Sequence, residues 1–233
     1  MHQNTLITGA NRGLGLELTR VLLQNGCRVF AINRRESDAL LQLRDEFTDG
    51  LLLYSADVTD EPAIEDVIRR ISEEFDHIDL LINNAAVHME QSKPALEQVD
   101  FSVYLPSFSI NAVAPLIVIK HGLPLLRRGD GKLIANISSE AGAIGTAWRK
   151  CEFSFCMSKA ALNMASQLLQ NALKEEGIKV LAVHPGWFSS DMGGPQAPIT
   201  TQQAAQDVAE QLTKSWPLDG PIYIDPQGKT LAW

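Results

Sequence analysis

The chain has 233 residues, 45% hydrophobic and 21% charged, with a net charge of -8. That length and balance suit one α/β domain with a sizeable core. The acidic excess argues against a nucleic-acid partner, whose affinity rests on Lys and Arg neutralising phosphates.

Cys27, Cys151 and Cys156 form no disulfide framework, and the scattered histidines offer no metal-ligand spacing. Neither a leader pattern nor an apolar run near the ~18 residues of a bilayer span is present, so no membrane association is expected and the expected location is the cytoplasm.

TLIT at 5–8 reads as a strand and GLELTRVLLQNG at 15–26 as a helix stopped by Gly26. CRVFAIN at 27–33 is a strand, and the segment at 36–47 a helix with Ser37 as N-cap. LLLYSADV at 51–58 is a strand, followed at 60–75 by a helix with acids and Pro62 in its first turn. IDLLINNA at 78–85 is a fully apolar strand running into polar residues. Further helices are expected at about 111–127, 155–177 and 202–215, and strands at 131–139, 178–186 and 221–225. Strands alternating with helices imply parallel pairing through crossovers. Strands so uniformly apolar are covered on both faces. The expectation is a single doubly wound Rossmann fold over residues 1–233, a parallel sheet of about seven strands with helices on both faces.

TGANRGLG at 8–15 joins the first strand to the first helix. Gly9, Gly13 and Gly15, with Asn11, Arg12 and Leu14 between them, allow a tight turn and close approach to a ligand. The helix N-terminus that follows offers N–H groups to a pyrophosphate. In that context the loop reads as a dinucleotide site rather than a plain turn. Unphosphorylated NAD calls for an acid at the end of the second strand, where Ile32-Asn33-Arg34-Arg35 stands instead. Arg12 and Arg34 suit a ribose 2′-phosphate, so NADP(H) is expected over NAD. The plain alternative makes Arg34-Arg35 a solvated turn. Asp57-Val58 ends the third strand, at the expected adenine edge. Asn84-Ala85 follows the fourth strand, so all these segments converge on one crevice.

These stretches occur in the order found in the short-chain dehydrogenase/reductase family, which the chain resembles: TGANRGLG, Asp57-Val58, NNAA at 83–86, Asn111, ISS at 137–139, Ser158-Lys159 and HPGWFSSDMGG at 184–194. The tail resembles the branch containing sniffer-like carbonyl reductases and C-factor-like proteins. The resemblance implies hydride transfer between a nicotinamide and a small carbonyl or alcohol. Ser139 would orient the carbonyl, with Ser138 as a structural hydroxyl. Lys159 would hold the cofactor ribose and tune the proton donor, and Asn111 would support a water relay. Pro185, Gly186 and Phe188 would lie at the nicotinamide end, with Ser190 on the carboxamide or pyrophosphate; packing and turn formation are the alternatives there. A homodimer or homotetramer through the helices at about 111–127 and 155–177 is also implied.

At the family's tyrosine position stands Phe155, which keeps a ring and lacks a proton. Loss of a general acid typically costs about 10²–10⁴-fold in rate. Three readings follow: a replacement of Tyr introduced to silence catalysis, a natural NADP-binding protein that serves signalling or partner binding, or a reductase of an activated substrate needing no tyrosine acid.

Overall fold

The computed structural model describes residues 3–90 and 94–233. Seven parallel strands make one sheet: β1 (Asn4–Thr8), β2 (Arg28–Asn33), β3 (Leu51–Ser55), β4 (Leu80–Asn83), β5 (Leu133–Ile137), β6 (Lys179–Val183) and β7 (Tyr223–Ile224). Their spatial order is β3-β2-β1-β4-β5-β6-β7. The winding direction therefore reverses between β1 and β4, where Thr5 pairs with Leu80 and Ile7 with Ile82. Every residue of β1, β4, β5 and β6 is buried, which is why those runs are apolar without alternation.

The helices are α1 (Gly13–Gln24), α2 (Asp38–Glu46), α3 (Glu61–Glu74), α4 (Tyr104–Phe108), α5 (Ala114–Arg128), α6 (Phe153–Leu173) and α7 (Thr201–Thr213). Successive strand residues point to opposite faces, so Ile7 packs with Leu18 and Leu22 of α1 and Val208 of α7. Its neighbour Leu6 joins Ile64 of α3 and Val118 of α5 on the other face. Ser37 caps α2 by accepting from the Leu40 N–H at 3.2 Å, and Asp60 caps α3 from Ala63 at 3.2 Å.

Two expectations shift. The helix expected from 155 begins at Phe153, after Glu152 in a left-handed conformation (φ 63°, ψ 37°). The helix expected over 111–127 belongs to a longer helical run, Phe101–Arg128, in which a π turn at Ser109–Val113 joins α4 to α5. That run is long and apolar enough, by length and composition, to cross a membrane, contrary to the expectation that nothing approached that length. Short helical pieces broken by Pro and Asn in the sequence stack end to end in the fold. The run lies on the sheet through Val118, Ile119, Leu125 and Leu126, and leaves Leu105, Val113 and Leu116 exposed.

Candidate active site

The crevice at the switch point is built by backbone fit. Gly9 has φ +72°, and a Cβ there would stand 2.8 Å from the Ala85 Cα. At Gly15 a Cβ would meet the Gly9 carbonyl oxygen at 2.2 Å and the Asn84 amide at 2.4 Å. Asn84 Nδ2 donates to the carbonyls of Thr8 and Gly9, each at 3.0 Å. The Thr8 hydroxyl accepts from the Asn84 and Ala85 N–H groups, each at 3.1 Å. The Ser37 hydroxyl donates to the Asn11 carbonyl at 2.6 Å. Strand ends β1, β2 and β4 thus grip one loop.

This crevice fits a dinucleotide. Arg12 precedes α1 with no side-chain cap, so the first N–H groups of the helix are open to an anion. Gly13, at φ +55°, has open space where a side chain would stand. At the end of β2 the Asn33 amide is buried, and neither its oxygen nor its nitrogen has a hydrogen-bond partner among the described residues. Buried amides are rarely left so, and a ribose edge would satisfy this one. Arg34 lies 3.7 Å from Asp57, whose Oδ1 accepts from the Thr59 N–H (2.9 Å) and hydroxyl (2.7 Å). Those two bonds, ahead of Arg34, hold the Asp57 carboxyl below the usual range. Val58 stands beside it, in a shallow depression shared with Thr8, Asn83, Ala85 and Ile110. Arg12 is turned across the crevice to pair with Asp191. The two arginines read together as a phosphate clamp therefore engage different carboxylates.

Beyond the crevice, the helical run, β5 and α6 converge. Asn111 lies in the π turn, where one extra residue redirects its side chain. Its amide bonds both backbone groups of Val87, accepting from N–H at 2.8 Å and donating to C=O at 2.9 Å, and also donates to the Ser158 hydroxyl at 3.0 Å. Lys159 is buried, and its Nζ donates to the Ile137 carbonyl at 2.8 Å. Desolvation brings its pKa down from 10.5 to about 8. That nitrogen lies 5.8 Å from the centre of the Phe155 ring. The Ser138 hydroxyl points inward to Asn163. Ser139 is half-buried; its Oγ accepts from the Ala141 N–H at 3.1 Å, and its carbonyl accepts from the Tyr223 hydroxyl at 2.8 Å. Ser138 is therefore tied into the core, and Ser139 stays half-buried at the end of β5.

The segment after β6 is less committed to a ligand. Phe188 packs toward the core and pairs with Ile199. Ser190 accepts from the Gly193 N–H at 2.9 Å, the turn-forming alternative. Trp187 is exposed and donates to the Gly193 carbonyl at 2.8 Å. Pro185 is buried, and Gly186 turns the chain at φ +82°.

One residue beside Phe155 was missed in the sequence. His88 was counted among scattered histidines, yet its ring lies against Phe155, centroids 4.7 Å apart. Its Nε2 is 3.6 Å from the Glu152 carboxylate. No local pattern links positions 64 residues apart; only their place after an NNAA strand end and before a family helix start pointed to a common site.

A crevice at the reversal point of a doubly wound sheet, opening on a helix N-terminus, defines a dinucleotide-binding protein. The family model for short chain dehydrogenase matches residues 3–200, and the chain belongs to that family of oxidoreductases. It is 34% identical over 156 residues to C-signal of Myxococcus xanthus, covering 67% of this chain and 93% of that one. It is 32% identical to short-chain dehydrogenase RED3 of Pyricularia oryzae, over 98% of this chain and 97% of that one. Among solved structures, carbonyl reductase Sniffer of D. melanogaster superposes with a TM-score of 0.93 at 27% identity, both chains covered fully. An NADPH-bound carbonyl reductase from chicken fatty liver gives 0.89 at 28% identity, over 100% of this chain and 99% of that one.

Proposed function

We propose that the protein is an NADP(H)-dependent carbonyl reductase whose turnover is slowed by Phe155. The observation that carries this is the preserved frame around that ring: Asn111 clasping Val87 and Ser158, and Lys159 buried behind it. A framework of buried polar groups is costly to keep, and a chain with no use for a reaction site has no physical reason to keep it. When bound, the nicotinamide supplies the hydride. The α1 N-terminus would hold the pyrophosphate, Asn33 and Lys159 the riboses, and Arg34 a 2′-phosphate. Ser139 would donate to the carbonyl oxygen, and Asn111 and Lys159 would hold water in line behind Phe155. The preference for NADP over NAD is supported by Arg34 at the end of β2, where no acid stands before Glu36, and by the NADPH in the chicken structure.

A second reading, an NADP-binding protein without turnover that serves signalling or partner binding, is favoured by the missing phenol alone. Self-association as a homodimer or homotetramer is supported by Val113, Leu116, Met157, Met164 and Leu168, exposed on the central helices; sedimentation velocity would test it. The deciding experiment measures NADPH consumption over aldehydes and ketones by this chain and its Phe155→Tyr variant. The variant is expected to be faster by about 10²–10⁴-fold. NADPH binding by both with turnover by neither supports the second reading.

A further inference from the structure

We propose that His88 is the proton donor of this site, standing in for the absent tyrosine hydroxyl, with Glu152 and Arg149 as positioning residues. The inference rests on the reductase reading above.

His88 follows Val87, whose N–H and C=O are both held by the Asn111 amide. The backbone that carries the imidazole is therefore fixed by a residue of the same site. The ring lies on Phe155 at 4.7 Å between centroids and 37° between planes. Lys159 Nζ is 5.8 Å from the same phenyl ring. His88 thus touches the one side chain at which the family's acid is missing.

The carboxylate beside it is held in place. Glu152 Oε1 lies 3.6 Å from His88 Nε2, with the two side chains 13% and 16% exposed. Glu152 is one of two non-glycine residues with positive φ among the described residues. It stands directly before α6 yet makes no side-chain cap. Its carboxylate instead accepts from Arg149 Nε at 2.9 Å, and the other two guanidinium nitrogens bind Glu140 at 2.7 and 2.6 Å. Left-handed backbone at a non-glycine costs roughly 1–3 kcal/mol and persists where the surroundings over-determine it. Here it aims a carboxylate at an imidazole.

Several charged and titratable groups of the described residues lie near His88. Glu152, with Arg149 and Glu140 behind it, faces it from the start of α6. Glu90 lies on its own segment and accepts from the Ser154 N–H at 3.1 Å. Tyr104 of α4 lies within the field of Glu90. Lys159 and Cys156 belong to α6. The alternative donors are poorer. Burial pushes the Cys156 thiol up to about 11, and the Tyr223 hydroxyl is spent on the Ser139 carbonyl.

In the step itself, the carbonyl carbon of the substrate accepts a hydride, with its electron pair, from the reduced nicotinamide. The π pair of the carbonyl moves to oxygen. An N–H bond of the His88 imidazolium breaks and an O–H bond forms, which leaves an alcohol and neutral His88. Solvent then reprotonates the ring.

The test uses the full chain with NADPH and a nitro-substituted benzaldehyde between pH 5 and 9, beside the His88→Gln and Glu152→Gln variants. The ring protons of His88 are titrated by NMR without cofactor. Expected are a kcat that falls as pH rises through the NMR midpoint of His88, and a loss of about 10²-fold in His88→Gln with NADPH affinity within about twofold. Glu152→Gln should lower the NMR midpoint and carry the kcat profile with it. A residue that only packs against Phe155 would not make those two shifts coincide. Should His88→Gln not fold, the coincidence in Glu152→Gln decides. Full kcat in His88→Gln, or a profile that ignores the NMR midpoint, overturns the proposal and leaves the reductase reading standing. So does an inactive chain beside an active Phe155→Tyr. If both bind NADPH and neither turns over, both readings fall.

Discussion

Lys159→Met should make the cofactor-free protein more stable at neutral pH and less able to bind NADPH. The lysine is fully enclosed, with one hydrogen bond to the Ile137 carbonyl, and burial brings its pKa from 10.5 to about 8. Its folded value is depressed, so the unfolded chain binds more protons across that window. The destabilisation is complete below pH 8 and fades as pH rises toward the unfolded value. The gap corresponds to about 3 kcal/mol below pH 7, at roughly 1.4 kcal/mol per unit, and to about 1 kcal/mol at pH 9.5. A methionine of similar length removes that term and forfeits about 1 kcal/mol of hydrogen bond. The net gain is then about 2 kcal/mol at pH 6.5, a rise in Tm of roughly 4–8 °C for a chain of this size, and close to nothing at pH 9.5. Denaturant midpoints of both proteins at the two pH values measure it directly. A destabilised variant at pH 6.5, or a difference that ignores pH, would refute the account of Lys159 as a charge held in the interior for its function. Titration with NADPH supplies the other half, since Lys159→Met should bind it at least about tenfold more weakly, a deficit of about 1.4 kcal/mol.

Arg34→Asp should weaken NADPH binding by at least about tenfold and leave NADH unchanged or tighter, read by fluorescence titration; equal losses would remove the 2′-phosphate assignment. Gly15→Ala places a methyl 2.2 Å from the Gly9 oxygen. It should forfeit cofactor binding and destabilise by about 1–3 kcal/mol, and unchanged affinity would show that the loop can shift. Asp79, buried, accepts from the N–H groups of Asn4 (2.9 Å), Asp130 (2.9 Å) and Gly131 (3.2 Å). Asp79→Ala leaves these donors without their acceptor and should lower stability by about 3 kcal/mol in chemical denaturation. A loss below about 1 kcal/mol would mean that water replaces the carboxylate.

Most of the crevice could be read in advance because its signals are local. Gly9, Gly13 and Gly15 sit a few residues apart between a strand and a helix, and their backbone demands do not depend on distant partners. Asn111 and Lys159 were singled out through their motifs, and both lie near Phe155, Asn111 bonding Ser158 and Lys159 standing 5.8 Å from the Phe155 ring. The pairing of Arg12 with Asp191 was not legible because its reach is long: nothing near Arg12 in the chain indicates that Asp191 stands across the crevice. The helical run from Phe101 was also underestimated, since Pro106, Asn111 and Pro115 look like breaks in a string of letters. In space, a π turn absorbs the irregularity around Asn111.

The architecture follows from the residue pattern alone. Apolar runs of strand length alternate with amphipathic helices, and such a chain can bury its strands only in a parallel sheet covered on both faces. The pattern also determined where a dinucleotide would lie, because the Gly-rich turn and the first helix follow β1 directly. The surroundings of Phe155, by contrast, emerge only in the folded chain. The imidazole of His88 and the carboxylate of Glu152 meet because β4 ends and α6 begins on the same side of the sheet, and because Arg149 and a left-handed backbone turn the carboxylate inward. Such contacts arise from loop closure between distant segments, and neither periodicity nor motif spacing encodes them.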